Sequence, residues 1–134
     1  MKDLQSSPKI LIVDDTLSDQ KSVAAFLTRN FVNGCDIHTV DKYSAAKKKI
    51  RNEKFDIITL DGNMGLECGY NLIPDIQRFQ TTRCIIIMIT GTQSCIDTGL
   101  LRGAHFGFIK YDIQQDVKLN EAFELVPLRQ AESA

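Results

Sequence analysis

Short apolar runs alternate along this chain with stretches in which apolar residues recur every three to four positions. The runs Lys9 to Val13, Cys35 to Val40, Phe55 to Leu60, Cys84 to Ile89 and Phe106 to Ile109 are short and rich in β-branched or aromatic side chains, so each predicts a strand. Phe55 to Leu60 and Cys84 to Ile89 are almost unbroken, as expected of strands covered on both faces. Between the runs, Val23, Phe26 and Leu27 form an i, i+3, i+4 stripe for a first helix, capped by Ser18 and ended by Asn33 and Gly34. Tyr43, Ala46 and Ile50 share one face of a second helix, with Asp41 as its cap. Pro74 is tolerated only in a first turn, which starts the third helix near Asn71 and ends it before Thr81. Gln93 to Arg102 makes a fourth helix with Ile96 and Leu100 facing inward. Leu119, Ala122, Phe123 and Val126 stripe a fifth, which Pro127 stops.

Five strands alternating with five helices, without repeats or low-complexity stretches, predict an α/β fold. The expected form is a flavodoxin-like, doubly wound (βα)5 arrangement: a three-layer α/β/α sandwich around a five-stranded parallel sheet. At 134 residues the chain can bury roughly two-thirds of its unfolded surface, enough for one core. The expected division is a tail over residues 1–8, a domain over 9–128 and a tail over 129–134.

Sixteen basic and seventeen acidic residues leave a net charge of −1, which argues against a whole-surface grip on nucleic acid or an anionic membrane. Lys47, Lys48 and Lys49 are expected on a solvated helix face. Met1 to Pro8 has no signal-peptide core, and Cys84 to Ile89 is too short to span a bilayer, so a soluble cytoplasmic protein is expected. Cys35, Cys68, Cys84 and Cys95 show no zinc-binding spacing. Cys35 and Cys84 fall at strand starts, where small buried thiols are expected, and Cys68 and Cys95 fall beside predicted loops.

The chemistry gathers at the strands' carboxyl ends, the edge where open α/β sheets bind ligands. Asp14 and Asp15 leave the first strand together. Adjacent carboxylates repel unless a cation is near, and magnesium (Mg2+) needs only one or two carboxylates plus a phosphate oxygen. Taken alone, Asp15 with Thr16 or Ser18 would simply cap a helix. Asp61 follows an apolar run and precedes Gly62, which suits a metal ligand and a nucleophile toward phosphorus. Thr90 offers a hydroxyl, small Gly91 leaves space, and Lys110 offers positive charge, the two needs of phosphoryl transfer being position and neutralisation. Each has an ordinary structural role by itself; their joint placement on the first, third, fourth and fifth strands is what points to a site.

Taken together, KILIVDD, DIITLDGNMG, IIIMITGT and GAHFGFIK resemble the response-regulator receiver domains of two-component signalling, from about Lys9 to Leu128. The resemblance implies a phosphoacceptor at Asp61, an acidic pair at Asp14 and Asp15, a switch hydroxyl at Thr90 and a catalytic lysine at Lys110. It implies that Asp15, Asp61 and the backbone carbonyl of Asn63 bind Mg2+ directly and that Asp14 acts mostly through water. Gly69 keeps the loop spacing of the resemblance. By the same resemblance, Asn63 and Thr92 occupy positions that tune phosphoryl lifetime in such proteins. The implied partners are a histidine kinase or phosphotransfer protein as donor, and a downstream target met by the fourth helix, fifth strand and fifth helix.

Three positions depart from the pattern. Tyr111 follows Lys110 where the family usually has a cis proline; a non-proline cis bond costs ~2.5–4 kcal/mol, so a trans loop and a differently aimed lysine are expected. Gly65 stands where proline is common, predicting a more flexible loop. The aromatic switch position falls at Gly107, with Phe106 and Phe108 beside it as candidates for its task. Two functions follow: a magnesium-dependent phosphoacceptor switch with no output domain, or a pseudo-receiver that binds protein partners without phosphorylation. A phosphatase of the haloacid dehalogenase type would need an acid at Asn63, and dinucleotide binding would need a glycine motif that is absent. His38 and His105 pair with no evident nucleophile.

Overall fold

The computed structural model describes residues 7–31 and 33–114. The strands are β1 (Lys9–Val13), β2 (Asp36–Val40), β3 (Ile57–Leu60), β4 (Ile85–Thr90) and β5 (Phe106–Ile109). The helices are α1 (Leu17–Arg29), α2 (Tyr43–Asn52), α3 (Ile73–Phe79) and α4 (Gln93–Arg102). Short 3-10 turns cover Gly69–Leu72 and Lys110–Gln114. All five strands are parallel in the order β2-β1-β3-β4-β5. This is the flavodoxin-like α/β arrangement predicted. The chain steps outward from β1 to β2 and then returns across β1 to β3. That reversal opens a crevice at the carboxyl ends of β1 and β3, where such folds take ligands.

Strand alternation builds two cores from the same runs. Leu11, Val13, Ile58, Leu60, Ile86 and Met88 pack on one face against Ala46 and Ile50 of α2, Ile73 and Ile76 of α3, and Ile96 of α4. Ile10, Ile12, Ile57, Ile85, Ile87 and Ile89 pack on the other against Val23, Phe26 and Leu27 of α1. Both faces are covered, which is why the runs are continuously apolar. The predicted fifth helix, with Leu119, Ala122, Phe123, Val126 and Pro127, lies outside the described residues.

Several boundaries move by a residue or two. Thr16, in extended conformation, precedes α1, so Ser18 lies inside the helix; Lys42, not Asp41, precedes α2. Helix α1 ends at Arg29, ahead of Asn33 and Gly34. β2 begins at Asp36 and β3 at Ile57, later than the apolar composition predicts. The third helix opens as a 3-10 turn before Pro74 takes the first turn of α3. Leu100 was expected inward but is 42% exposed, and Gly99 is buried instead. The cause is close packing: a Cβ on Gly99 would lie 2.4 Å from Met88 Cγ, so α4 rests on β4 through its glycine backbone.

Cys84 is buried, and burial pushes its thiol up to about 12, which keeps it inert. Cys35, Cys68 and Cys95 are half-buried. Among the described residues no helix is long and apolar enough to cross a membrane.

Candidate functional site

Two backbone hydrogen bonds carry the sheet one residue beyond its strands and fix the first two acids. Asp14 N–H donates to Val40 O at 3.1 Å, and Asp61 N–H donates to Val13 O at 3.0 Å. Val13 pairs with Leu60, so the aspartates that follow them emerge side by side. On the far side Thr90 pairs with Ile109, which sets Lys110 just past the end of β5. The sheet therefore brings Asp14, Asp61, Thr90 and Lys110 to one edge. Asp14 is 1% exposed, Asp61 4% and Thr90 2%, whereas Asp15 faces solvent.

One carboxylate oxygen from each of Asp14, Asp15 and Asp61 lies within 4.8 Å of the others. Oxygens on opposite sides of a bound Mg2+ are roughly 4 Å apart, so small side-chain rotations bring these three around one ion. The donor set, all carboxylate oxygen, suits a hard cation such as Mg2+ or Ca2+. Asn63 N–H donates to Asp61 Oδ1 at 3.2 Å, which sets the Asn63 backbone beside the cluster.

Lys110 Nζ lies 2.9 Å from Asp14 Oδ2 and 3.1 Å from Asp61 Oδ2. The described residues contain no cis peptide bond, so Tyr111 follows Lys110 on a trans linkage as expected. The expectation that a trans loop would turn the lysine elsewhere is not met. Burial alone would lower the Lys110 pKa, but its hydrogen bonds to Asp19 and Asp14 and the charge of Asp61 outweigh that and raise it. The ammonium stays charged throughout the physiological range. Burial raises the Asp14 pKa; the Lys110 and Thr16 N–H hydrogen bonds oppose this, and the charge of Asp61 adds to it.

Two contacts in the site gave no motif in the sequence. Asp19 Oδ2 sits 2.8 Å from Lys110 Nζ, the shortest of that lysine's three carboxylate contacts. Gln20 Nε2 donates to the Asp14 carbonyl at 2.7 Å, tying α1 to the acidic turn. The one available signal was spacing: Asp19 comes four residues after Asp15, one helical turn along.

Glycine shapes the loop that follows Asp61. A Cβ on Gly69 would lie 1.9 Å from the Asp61 carbonyl oxygen, so only glycine lets the loop return this closely. Gly65 has φ +73°, a turn geometry that side chains resist. A Cβ on Gly62 would meet Cys95 Sγ at 2.7 Å and Thr90 Oγ1 at 3.1 Å, so the loop, the Thr90 hydroxyl and α4 meet at one point. Gly91 has nothing within 4 Å of a Cβ position, which leaves space beside Thr90. Thr92 Oγ1 accepts from Cys95 N–H at 3.3 Å and caps α4.

At Gly107 a Cβ would lie 2.3 Å from Ile96 Cγ2. Ile96 thus fills the space above this position, which could not hold an aromatic ring with α4 where it is. Phe106 and Phe108 do not stand in for one. They pack on the opposite face with α1, Phe108 meeting Phe26 edge-on at 5.9 Å.

A family model described as the response regulator receiver domain matches residues 10–118. The chain belongs to that family. The fold of the receiver is shared by solved structures. A CheY-like receiver domain protein from Methanospirillum hungatei JF-1 is 23% identical, covering 90% of this chain and 99% of its own, with a TM-score of 0.68. A CheY-like receiver domain from Methylobacillus flagellatus is 16% identical over 90% of this chain and 99% of its own, with a TM-score of 0.73. A response regulator protein from Burkholderia pseudomallei, described with a phosphorylated aspartic acid, calcium ion and citrate, is 25% identical over 96% of this chain and 74% of its own, with a TM-score of 0.67. No curated protein matches the chain.

Proposed function

We propose that this receiver takes a phosphoryl group onto Asp61 from a phosphohistidine of a histidine kinase or phosphotransfer protein, and that the modified domain signals through partner binding. The observation that carries the reading is the convergence on Asp61. Its Oδ2 lies 3.1 Å from the Lys110 ammonium, and two further carboxylates stand within an ion's reach. The Burkholderia protein, with its phosphorylated aspartic acid and calcium ion, supports the same assignment by likeness.

Asp14, Asp15 and Asp61, with the carbonyl of Asn63, would hold Mg2+. A bound dication would supply charge neutralisation for the phosphoryl oxygens as they approach the acids. An Asp61 carboxylate oxygen attacks phosphorus; the new O–P bond forms as the P–N bond to the donor imidazole breaks, and the imidazole leaves. Lys110 donates to the incoming phosphoryl oxygen. Thr90 offers a hydroxyl from the end of β4, and the open space beside Gly91 admits the group. The domain acts as a signalling switch that catalyses its own modification, in a cytoplasmic setting.

Downstream partners would read α4, β5 and the predicted fifth helix. With Ile96 over Gly107, the coupling runs from Thr90 to α4 at the contact of Gly62, Thr90 and Cys95 instead of through a swinging ring. Lys110 aimed at Asp61 weighs against a phosphorylation-independent module. Incubation with Mg2+ and acetyl phosphate, followed by intact-mass measurement, should show one phosphoryl adduct on the wild type and none on Asp61→Asn. No adduct on the wild type, or one that persists in Asp61→Asn, would overturn the reading.

A further inference from the structure

We propose that Asp19 is a positioning residue for Lys110, doing from helix α1 what the loop after Lys110 does not do; this rests on the phosphoacceptor reading above. A lysine ammonium has three hydrogens to donate. Here they face Asp19 at 2.8 Å, Asp14 at 2.9 Å and Asp61 at 3.1 Å, one carboxylate each from α1 and the ends of β1 and β3. The three are not equivalent. Asp14 and Asp61 belong to the carboxylate cluster that comes within reach of an ion, and Asp19 does not. When Asp14 and Asp61 turn their oxygens to a cation, Asp19 is the contact that still holds the lysine.

The lysine needs such a hold. Its four-carbon stem is flexible, and in the 3-10 turn that follows Tyr111 is 81% exposed while the buried residue is Ile113, three positions on, so the turn's packing fixes its backbone and leaves the ammonium to its hydrogen bonds. Asp19, by contrast, stands in the first turn of a thirteen-residue helix. That helix is anchored by Val23, Phe26 and Leu27, none more than 1% exposed. Arg29 of the same helix donates to Ile113 O at 3.2 Å, which ties α1 to the turn carrying Lys110. Asp19 also borders an open cavity of about 310 Å³ shared with Ser22, Gly91 and Lys110, so shortening its side chain removes no packed core atom.

The test compares wild type, Asp19→Ala and Asp19→Asn in three measurements: phosphorylation rate with Mg2+ and acetyl phosphate, Mg2+ affinity, and the NMR position of the Lys110 ε-methylene. Asp19→Ala should slow phosphorylation on the order of tenfold, since misplacing a group near the reacting atoms costs this much or more. Mg2+ affinity should stay within about twofold, because Asp19 lies outside the ion's cluster, and the Lys110 signal should move. Asp19→Asn keeps an oxygen acceptor and should recover part of the rate. An unchanged rate in Asp19→Ala on a wild type that labels at Asp61 overturns this inference alone. A slower rate accompanied by an equal loss of Mg2+ affinity, or with the Lys110 signal in place, also overturns it, for the residue would then be shaping the pocket as a whole. A wild type that takes no phosphoryl group overturns both this inference and the function it rests on.

Discussion

The two edges of the sheet treat their polar groups differently. At the amino-terminal edge several polar groups meet direct partners. Gln80 Nε2 donates to the carbonyls of Ile50 and Glu53 at 2.8 and 2.6 Å, and its Oε1 accepts from Phe55 N–H at 2.8 Å. Asp56 accepts from Lys9 N–H at 2.8 Å, and Glu53 sits between Lys9 and Lys49 at 3.2 and 3.0 Å. His105 Nδ1 accepts from Ile86 N–H at 3.0 Å. At the carboxyl-terminal edge Asp14, Asp19 and Asp61 surround one ammonium, Lys110, with Asp15 beside Asp14 and Asp61, and two of the four acids are buried. One edge is balanced and holds the fold. The other carries excess negative charge, which the proposed cation would offset.

The largest effect should come from the backbone of the charged edge. Gly69→Ala drives a Cβ against the Asp61 carbonyl, and denaturant unfolding should report a loss of about 3 kcal/mol or more. A loss below about 1 kcal/mol would mean that the loop returns by another path. Next, Mg2+ at about a hundredfold over its dissociation constant should stabilise the wild type by about 2.7 kcal/mol, with no such gain in Asp61→Asn at the same concentration. Equal gains in both proteins would place the ion elsewhere.

Gln80→Ala probes the balanced edge. It leaves the buried Phe55 N–H without its acceptor and should cost about 2 kcal/mol in the same unfolding assay. The Mg2+ response should be untouched, since Gln80 lies at the opposite end of the sheet. The smallest effect belongs to Asp14. Its folded pKa is raised, so the native state holds a proton more tightly than the unfolded chain. Between the unfolded value of 3.8 and the raised folded value, stability therefore falls as pH rises; the loss is complete above the folded value and absent below the unfolded one. Without divalent cations, Asp14→Asn should flatten that segment of the stability–pH curve and add on the order of 1 kcal/mol at neutral pH. A steeper curve in the variant would contradict the unbalanced-charge account.

Much of this was legible in the sequence because apolar runs and helical stripes carry the fold. The continuous runs Ile10 to Val13 and Ile85 to Ile89 could only be strands covered on both sides, and the residues just past such runs had to share one edge. That logic located Asp14, Asp61, Thr90 and Lys110 together. It failed where spacing alone decides nothing. Leu100 fitted the helical stripe as well as Gly99, but the close approach of α4 to Met88 selects the residue without a side chain. Phe106 and Phe108 looked available to replace a missing aromatic, yet strand alternation turns both toward α1 while Gly107 faces Ile96. Asp19 escaped notice because an acid in a first helical turn is ordinary, and only the fold shows that it faces Lys110.

The most direct test of the contrast between the edges is a Mg2+ titration followed by amide chemical shifts. Site-specific, saturable shifts should appear around Asp15 and Asp61 and be absent around Gln80 and His105. Amides around Asp15 and Asp61 that stay in place at high Mg2+, or shifts spread evenly over both edges, would contradict the account.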